Sequence, residues 1–180
     1  MKILAISGSG RQASTNTAML RTIAAIACGQ HEVTVDSDLA RLPVFTPDRE
    51  GDALPAEVLR FADLIRAHDA LIIASPEYVR AIPGGLKNAI DWLVSREELV
   101  GKPMALAHAS HRGNDMLAQL RLVLSTVSDG FSPGNFLRID LINMTPEQID
   151  ARLRLPENTQ AIHAFLAALY QQVAASTAVG

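Results

Sequence analysis

Lys2-Ile3-Leu4-Ala5-Ile6-Ser7-Gly8-Ser9-Gly10-Arg11-Gln12-Ala13-Ser14-Thr15-Asn16-Thr17 decides how the rest of the chain is read. Ile3 to Ile6 is an unbroken apolar run of strand length, and Ala18-Met19-Leu20 opens a helical pattern directly after the polar segment. The order is strand, tight loop, helix N-terminus. Such a junction gathers unpaired backbone N–H groups and the positive end of a helix dipole around one small volume, where an anion is favoured. Ser9, Ser14 and Thr17 add hydroxyl donors, Asn16 an amide N–H and Arg11 a charged fork, so phosphate oxygens can be surrounded without a metal. Two other readings stay open at this point. Ser14 or Asn16 can be a plain helix cap, and Gly8–Ala13 also satisfies the G-x-G-x-x-[GA] dinucleotide fingerprint, with Asp36 either its ribose-binding acid or a solvated turn residue.

A length of 180 residues suits one domain, 1–180, burying roughly 70% of the surface its unfolded chain exposes. With 48% hydrophobic residues and a net charge of −3, the chain has no general affinity for nucleic acid or anionic membranes. Cys28 is the only cysteine, which excludes an internal disulfide and a cysteine metal site and points to a buried small apolar role. The first strand begins without a basic region and apolar signal core, and no run approaches the ~18 residues of a membrane span, so a cytoplasmic protein is expected. Asn143-Met144-Thr145 has the form of a glycosylation acceptor and is read as accidental.

Beyond the first loop, helical spacing covers about 15–28, and His31–Val35 alternates as a short second strand. Residues 36–51 read as loop, and Leu54–His68 as the next helix. Asp69–Ala74 is almost wholly apolar, the mark of a central parallel strand covered on both faces, and it ends in Ser75-Pro76-Glu77-Tyr78. A helix over Leu86–Leu93 follows Pro83-Gly84-Gly85, which sets up its first turn. Met104–Ala109 is a fourth strand ending in Ser110-His111-Arg112-Gly113, followed by a helix over Asp115–Val127, a fifth strand over Asn135–Ile142, helices over Pro146–Leu153 and Thr159–Ala175, and a tail fraying from Ser176. Alternating strands and helices specify a parallel sheet with right-handed crossovers. Five strands fit an α/β flavodoxin-like three-layer sandwich in the order 2-1-3-4-5, with one ligand site where the loops 7–16, 75–83 and 110–113 meet at the carboxyl ends of the strands.

These loops suit FMN: one phosphate pocket, then backbone groups and flat contacts for a ring. No Ser-His-Asp order, no base at a reacting position and no metal-ligand spacing is evident, which leaves the chemistry to a cofactor. The chain here resembles the NAD(P)H-dependent FMN reductase family, flavodoxin-like proteins that include quinone, chromate and azo-dye reductases. The family's G-S-x-R-x-x-S-x-N stands as Gly8–Asn16, and its S-P-E-Y-N-x-S-x-P-G-x-L-K-N-x-x-D-W as Ser75–Trp92; Gly101-Lys102-Pro103 and Gln119-Leu120-Arg121 also fit. The resemblance implies that Ser9, Arg11, Ser14, Asn16 and Thr17 hold the FMN phosphate, that Pro76, Glu77 and Tyr78 line the flavin, and that Ser110, His111, Arg112 and Gly113 close the other side.

It also implies a hydride passing from NAD(P)H through FMN to a small acceptor such as a quinone, in a homodimer or homotetramer. A non-catalytic FMN-binding carrier or sensor is the alternative. Val79 stands where the family usually has Asn, Ala81 where it often has Ser, and His111-Arg112 in a loop that is usually small and Gly-rich. His111 is either a donor to a flavin or substrate oxygen or a solvated loop residue. Arg112 is either a partner for a cofactor phosphate or a surface charge. Trp92 is a packing or subunit-interface residue, and Glu77 and Asp91 are structural through capping and ion pairing.

Overall fold

Every residue except Gln12 and Gly180 is described in the computed structural model, Asp52 and Val179 by their backbone alone; Gln12, a member of the first motif, and the last residue of the tail therefore lie outside the described residues. The sheet forms from Lys2–Ser7 (β1), Glu32–Asp36 (β2), Ala70–Ala74 (β3), Met104–His108 (β4) and Phe131–Arg138 (β5), all parallel, in the order β2-β1-β3-β4-β5. β3 and β4 are buried at every residue and β1 at all but its first, as apolar runs with no alternation require. The helices are Thr15–Ala27 (α1), Ala56–Arg66 (α2), Gly84–Asp91 (α3), Asn114–Val127 (α4), Pro146–Leu153 (α5) and Pro156–Val179 (α6).

Side chains of β1 divide the core by their alternation. Leu4 and Ile6 face α2, α3 and α4, through Phe61, Ile65, Ile90 and Leu120, while Ile3 and Ala5 face α1, α5 and α6, through Leu20, Ile23, Leu153 and Leu166. The three layers of the sandwich follow from that split.

Several boundaries differ from the sequence reading. β5 starts at Phe131 and includes Pro133 and Gly134, which an edge strand tolerates because its outer N–H groups need no ladder partner. Beyond Arg138 the chain still runs beside β4, with Ile139 N–H donating to the His108 carbonyl at 3.1 Å and Leu141 N–H to that of Ala109 at 3.2 Å. α6 runs through the expected fraying tail to Val179, its end carrying Ser176 and Thr177 hydroxyls bonded back to the Gln172 and Val173 carbonyls. Residues 36–55 include three short 3₁₀ turns. Cys28 is exposed rather than buried, because it sits at the C-cap where α1 ends.

Trp92 is fully buried and packs within its own chain, so it is not available as a subunit-interface residue. Its Nε1–H donates to the Pro43 carbonyl at 2.8 Å, and its ring meets Phe45 edge-on at 5.1 Å. One turn earlier, Asn88 donates to the same carbonyl at 2.9 Å and accepts from Phe45 N–H at 2.8 Å. Asn88 and Trp92, four residues apart and thus on one helix face, pin the long segment after β2. At the amino-terminal rim of the sheet the packing is also tight: a Cβ on Gly130 would lie 2.4 Å from the carbonyl oxygens of Gly101 and Lys102. There Ser128 Oγ donates to the Lys102 carbonyl at 3.0 Å and Lys102 Nζ to that of His68 at 2.7 Å.

Candidate functional site

A cleft of about 580 Å³ opens at the carboxyl ends of β1, β3 and β4. Among the expected site residues, Arg11, Asn16, Pro76, Glu77, Ser110, Arg112 and Gly113 line it. Gly8 lets the first two loops close on each other: a Cβ there would be 2.8 Å from Ser75 Oγ and 2.9 Å from Leu86 Cδ2, and its N–H donates to the Ala74 carbonyl at 2.8 Å.

In the first loop, Ser14 is the N-cap of α1, with Oγ accepting from Thr17 N–H at 3.4 Å. Ser9 Oγ accepts from Arg11 N–H at 3.3 Å, and Arg11 Nε donates to the Ala13 carbonyl at 2.8 Å. Thr17 lies behind the loop, its hydroxyl paired with Ser7 at 2.8 Å in the core. Asn16 is different: its Oδ1 is buried with no hydrogen-bond partner among the described residues, although the side chain lines the cleft. An unsatisfied buried amide costs about 1–3 kcal/mol. With the amide turned over, the oxygen would meet a ribityl hydroxyl in the cleft; as it stands, the amide N–H groups are the ones left to donate to a phosphate oxygen.

Glu77 caps α4, accepting from Met116 N–H at 3.2 Å, while also lining the cleft. Tyr78 is half exposed and pairs with Ala81 through a two-residue turn, so it flanks the cleft rather than lining it. At that turn Arg80 pairs with Asp115. Asp36, buried beside β1, accepts from Asp38 N–H at 3.1 Å through Oδ1, while its Oδ2 has no partner among the described residues.

The third loop is held by a clasp that sequence reasoning missed. Arg138 at the end of β5 donates Nε to the Ser110 carbonyl at 2.7 Å, Nη2 to the Arg112 carbonyl at 2.9 Å and Nη1 to Asn114 Oδ1 at 3.0 Å. His108, buried at the end of β4, reaches the same Arg112 carbonyl with Nε2 at 2.6 Å. Nε2 is thereby the protonated nitrogen, and Nδ1 is left buried without a partner among the described residues. Burial pulls the His108 pKa below its usual value and the charge of Arg138 adds to this, against the Arg112 carbonyl, the Ser75 backbone and Glu77. Gly113 completes the clasp at φ +90°, where a Cβ would stand 2.9 Å from His108 Nε2. His111 points away from the cleft to Asp140, Nδ1 to Oδ2 at 2.8 Å, and this hydrogen bond holds the Asp140 carboxyl below its usual range.

A fourth loop, Ile142 to Thr145, forms the outer wall. Asn143, at φ 61°, makes the turn, and Thr145 starts α5 with a capping box, Gln148 N–H donating to Thr145 Oγ1 at 3.3 Å. The T-x-x-Q spacing was a readable helix start. Its nearness to the ligand site was not.

The sequence matches a known family model over residues 1–141, described as NADPH-dependent FMN reductase. The chain belongs to the NADPH-dependent FMN reductase family. Relatives include a quinone reductase of Escherichia coli, 36% identical over 113 residues, which are 61% of this chain and 60% of that protein. An NAD(P)H-dependent FMN reductase of Pseudomonas aeruginosa is 38% identical over 112 residues, with 61% and 60% covered. The matched segment thus spans about 60% of these relatives' length. The fold is that of the flavoenzyme NAD(P)H:(acceptor) oxidoreductase of Paracoccus denitrificans, TM-score 0.71 at 24% identity over 95% of this chain and 98% of that one. Within the FMN reductase family frame, the motif Ser75–Trp92 divides: its first half borders the cleft and its second half, through Asn88 and Trp92, holds the segment after β2.

Proposed function

We propose that this chain binds FMN in the cleft and works as an NAD(P)H-dependent flavin or quinone reductase. The observation that carries the reading is the donor-rich junction of β1 and α1, with Asn16, whose Oδ1 is orphaned, at the wall of a cleft of ring-accommodating size in a member of this family. FMN, when bound, supplies the redox chemistry, taking a hydride from NAD(P)H and delivering it to a small acceptor such as a quinone. The protein's part is to bind and position. Ser9, Arg11, Ser14 and Asn16, with the N–H groups of the first turn of α1, hold the phosphate, and Thr17 keeps that turn in place through Ser7. Pro76, Glu77 and Tyr78 flank the ring on one side, with Ser110, Arg112 and Gly113 on the other; His111, turned to Asp140, belongs to the frame of this loop.

Arg11 and Arg112 outnumber the one carboxylate of the lining, Glu77, and this cationic balance suits an anionic nicotinamide cofactor better than a basic protein partner and favours a reductase over a carrier. We further propose a homodimer or homotetramer joined through the segment after α3, where Val94 and Val100 are exposed; light scattering returning a monomer would refute it.

The test pairs binding with turnover. FMN should co-elute with the protein and lose its fluorescence, riboflavin should bind more weakly, and Arg11→Ala should weaken FMN alone, by about 1.5–3 kcal/mol for a charge-assisted contact. NAD(P)H should then be oxidised in the presence of FMN and a quinone. Riboflavin binding as tightly as FMN would remove the phosphate site. FMN bound without turnover would leave the carrier or sensor reading.

A further inference from the structure

His108 stands at the end of β4 with its ring in the lining of the cleft and its two nitrogens unequally served. Nε2–H donates to the Arg112 carbonyl at 2.6 Å, whereas Nδ1, covered from solvent in a residue only 2% exposed, has no partner among the described residues. The charges around the ring oppose one another. From the end of β3, the Ser75 backbone and the Glu77 carboxylate favour a charged ring, as does the Arg112 carbonyl in its own loop. Burial and Arg138, reaching over from β5, hold it neutral, and the positive end of α4, which starts at Asn114, acts in the same sense. Of the remaining charges nearby, the Arg112 guanidinium stands at the cleft wall and Asp115, in the first turn of α4, is engaged by Arg80. A ring with one nitrogen bonded to a carbonyl, the other unserved, and a carboxylate nearby is an imidazolium site held one proton short. Negative charge added to the cleft tips that balance toward the charged ring.

Reduction of a bound flavin brings such a charge. A hydride carries two electrons and one proton, so a neutral ring that receives it gains one net negative charge. We propose that His108 compensates this charge, taking a proton from solvent on Nδ1 when the flavin is reduced and releasing it when the electrons leave. The proposal rests on the flavin reading above. Its balance closes without a further reactant: NAD(P)H loses the hydride, the flavin gains it and the imidazole gains one solvent proton. A quinone then takes the hydride and one proton, equivalent to the proton that His108 gives back. The histidine touches no reacting atom in this scheme; it sets the charge of the cleft floor.

The test uses the FMN-loaded protein with its histidines labelled in nitrogen-15, reduced by dithionite without oxygen or nicotinamide. The His108 imidazole, assigned through the backbone of β4, is titrated between about pH 5 and 8 in both redox states. Its protonation midpoint should lie below the ordinary 6.5 in the oxidised protein and rise on reduction by about one pH unit or more, a tenfold tighter hold on the proton. A midpoint that does not move overturns the proposal, as does a ring already doubly protonated at pH 7 before reduction. The second measurement counts protons. Between the two midpoints, the pH dependence of the reduction potential should show more protons taken up per two electrons in the wild type than in His108→Gln, whose amide N–H keeps the bond to the Arg112 carbonyl but cannot be charged. The same count in both proteins assigns any extra proton to the flavin ring and overturns the proposal. A histidine that only braced the loop would leave both readouts unmoved, and if His108→Gln loses FMN the wild-type titration decides alone. If FMN does not bind the wild type, the flavin reading fails and this proposal with it; FMN bound beside an unmoved His108 removes this proposal alone.

Discussion

Val79 and Arg80 hold φ angles of 51° and 60°, with Tyr78 and Ala81 exchanging backbone hydrogen bonds of 3.1 and 3.0 Å around them. That is the geometry of a turn built for Asn-Gly, in which a β-branched residue is strained. The side chain of Val79 is 99% exposed and gains no packing in return. Its departure from the family's Asn therefore bears on the turn first and on any ring contact second. Val79→Asn should stabilise the protein by about 1 kcal/mol, read as a rise in urea midpoint; a fall would mean that the valine makes contacts outside its own chain.

His108 carries the other residue-scale consequence. Its folded pKa lies below the ordinary 6.5, so between those two values the unfolded chain binds a proton that the folded chain does not. Stability from this group is complete above about pH 6.5 and is lost as pH falls toward the depressed value. In His108→Gln an amide N–H can take over the bond to Arg112, and the acid-side loss measured by urea titration between neutral and mildly acid pH should shrink. His31, also pulled down by burial, acts with the same sign in both proteins, so the difference isolates His108. No change in slope would mean that His108 titrates as it does in the unfolded chain.

At the scale of elements, glycines in neighbouring motifs serve different ends. Gly113 opens α4 from a left-handed conformation with His108 against its α-carbon, whereas Gly84 and Gly85 start α3 with open space where a methyl group would stand, nothing lying within 4 Å. Gly113→Ala should cost about 1–2 kcal/mol in backbone strain and additionally loosen the Arg112 carbonyl from His108, weakening flavin binding; Gly85→Ala should leave stability unchanged or raise it by about 0.5–1 kcal/mol. Thermal melts and flavin titrations of the pair separate the two roles.

β1, β3 and β4 were legible in the sequence because burial on both faces demands unbroken apolar runs, and the strand–loop–helix junction of β1 and α1 because its polar residues are contiguous. The clasp was not legible, since His108 and Arg138 become neighbours only through the pairing of β4 with β5. The outer wall at Ile142–Thr145 escaped for the same reason: a loop's position depends on where its strand ends in space. The segment after β2 is held at Pro43 and Phe45, between its first two 3₁₀ turns, by Asn88 and Trp92 from far along the chain, which no local pattern announces.

For the whole molecule, the two ends of the sheet are unequal. The amino-terminal rim is packed shut beside β4 and β5, by backbone contact at Gly130, by Ser128 and by Lys102, and is open beside β1 and β2, where Met1, Lys2, Gln30 and His31 line a concavity; the carboxyl-terminal rim is open and formed of loops. The amides of Met104 and Phe131, bonded to the Gly130 and Ser128 carbonyls in the packed corner, should then exchange with heavy water only through global unfolding, while those of the cleft loops exchange through cheaper local openings. Protection gained on adding FMN, followed by mass spectrometry, should be confined to residues 8–17, 75–81, 108–116 and 142–145. The packed corner at the start of β4 and β5 acts as a fixed anchor, so ordering the loops costs conformational entropy at the other end of these strands alone, and a ligand bound there raises the melting temperature without tightening the molecule as a whole.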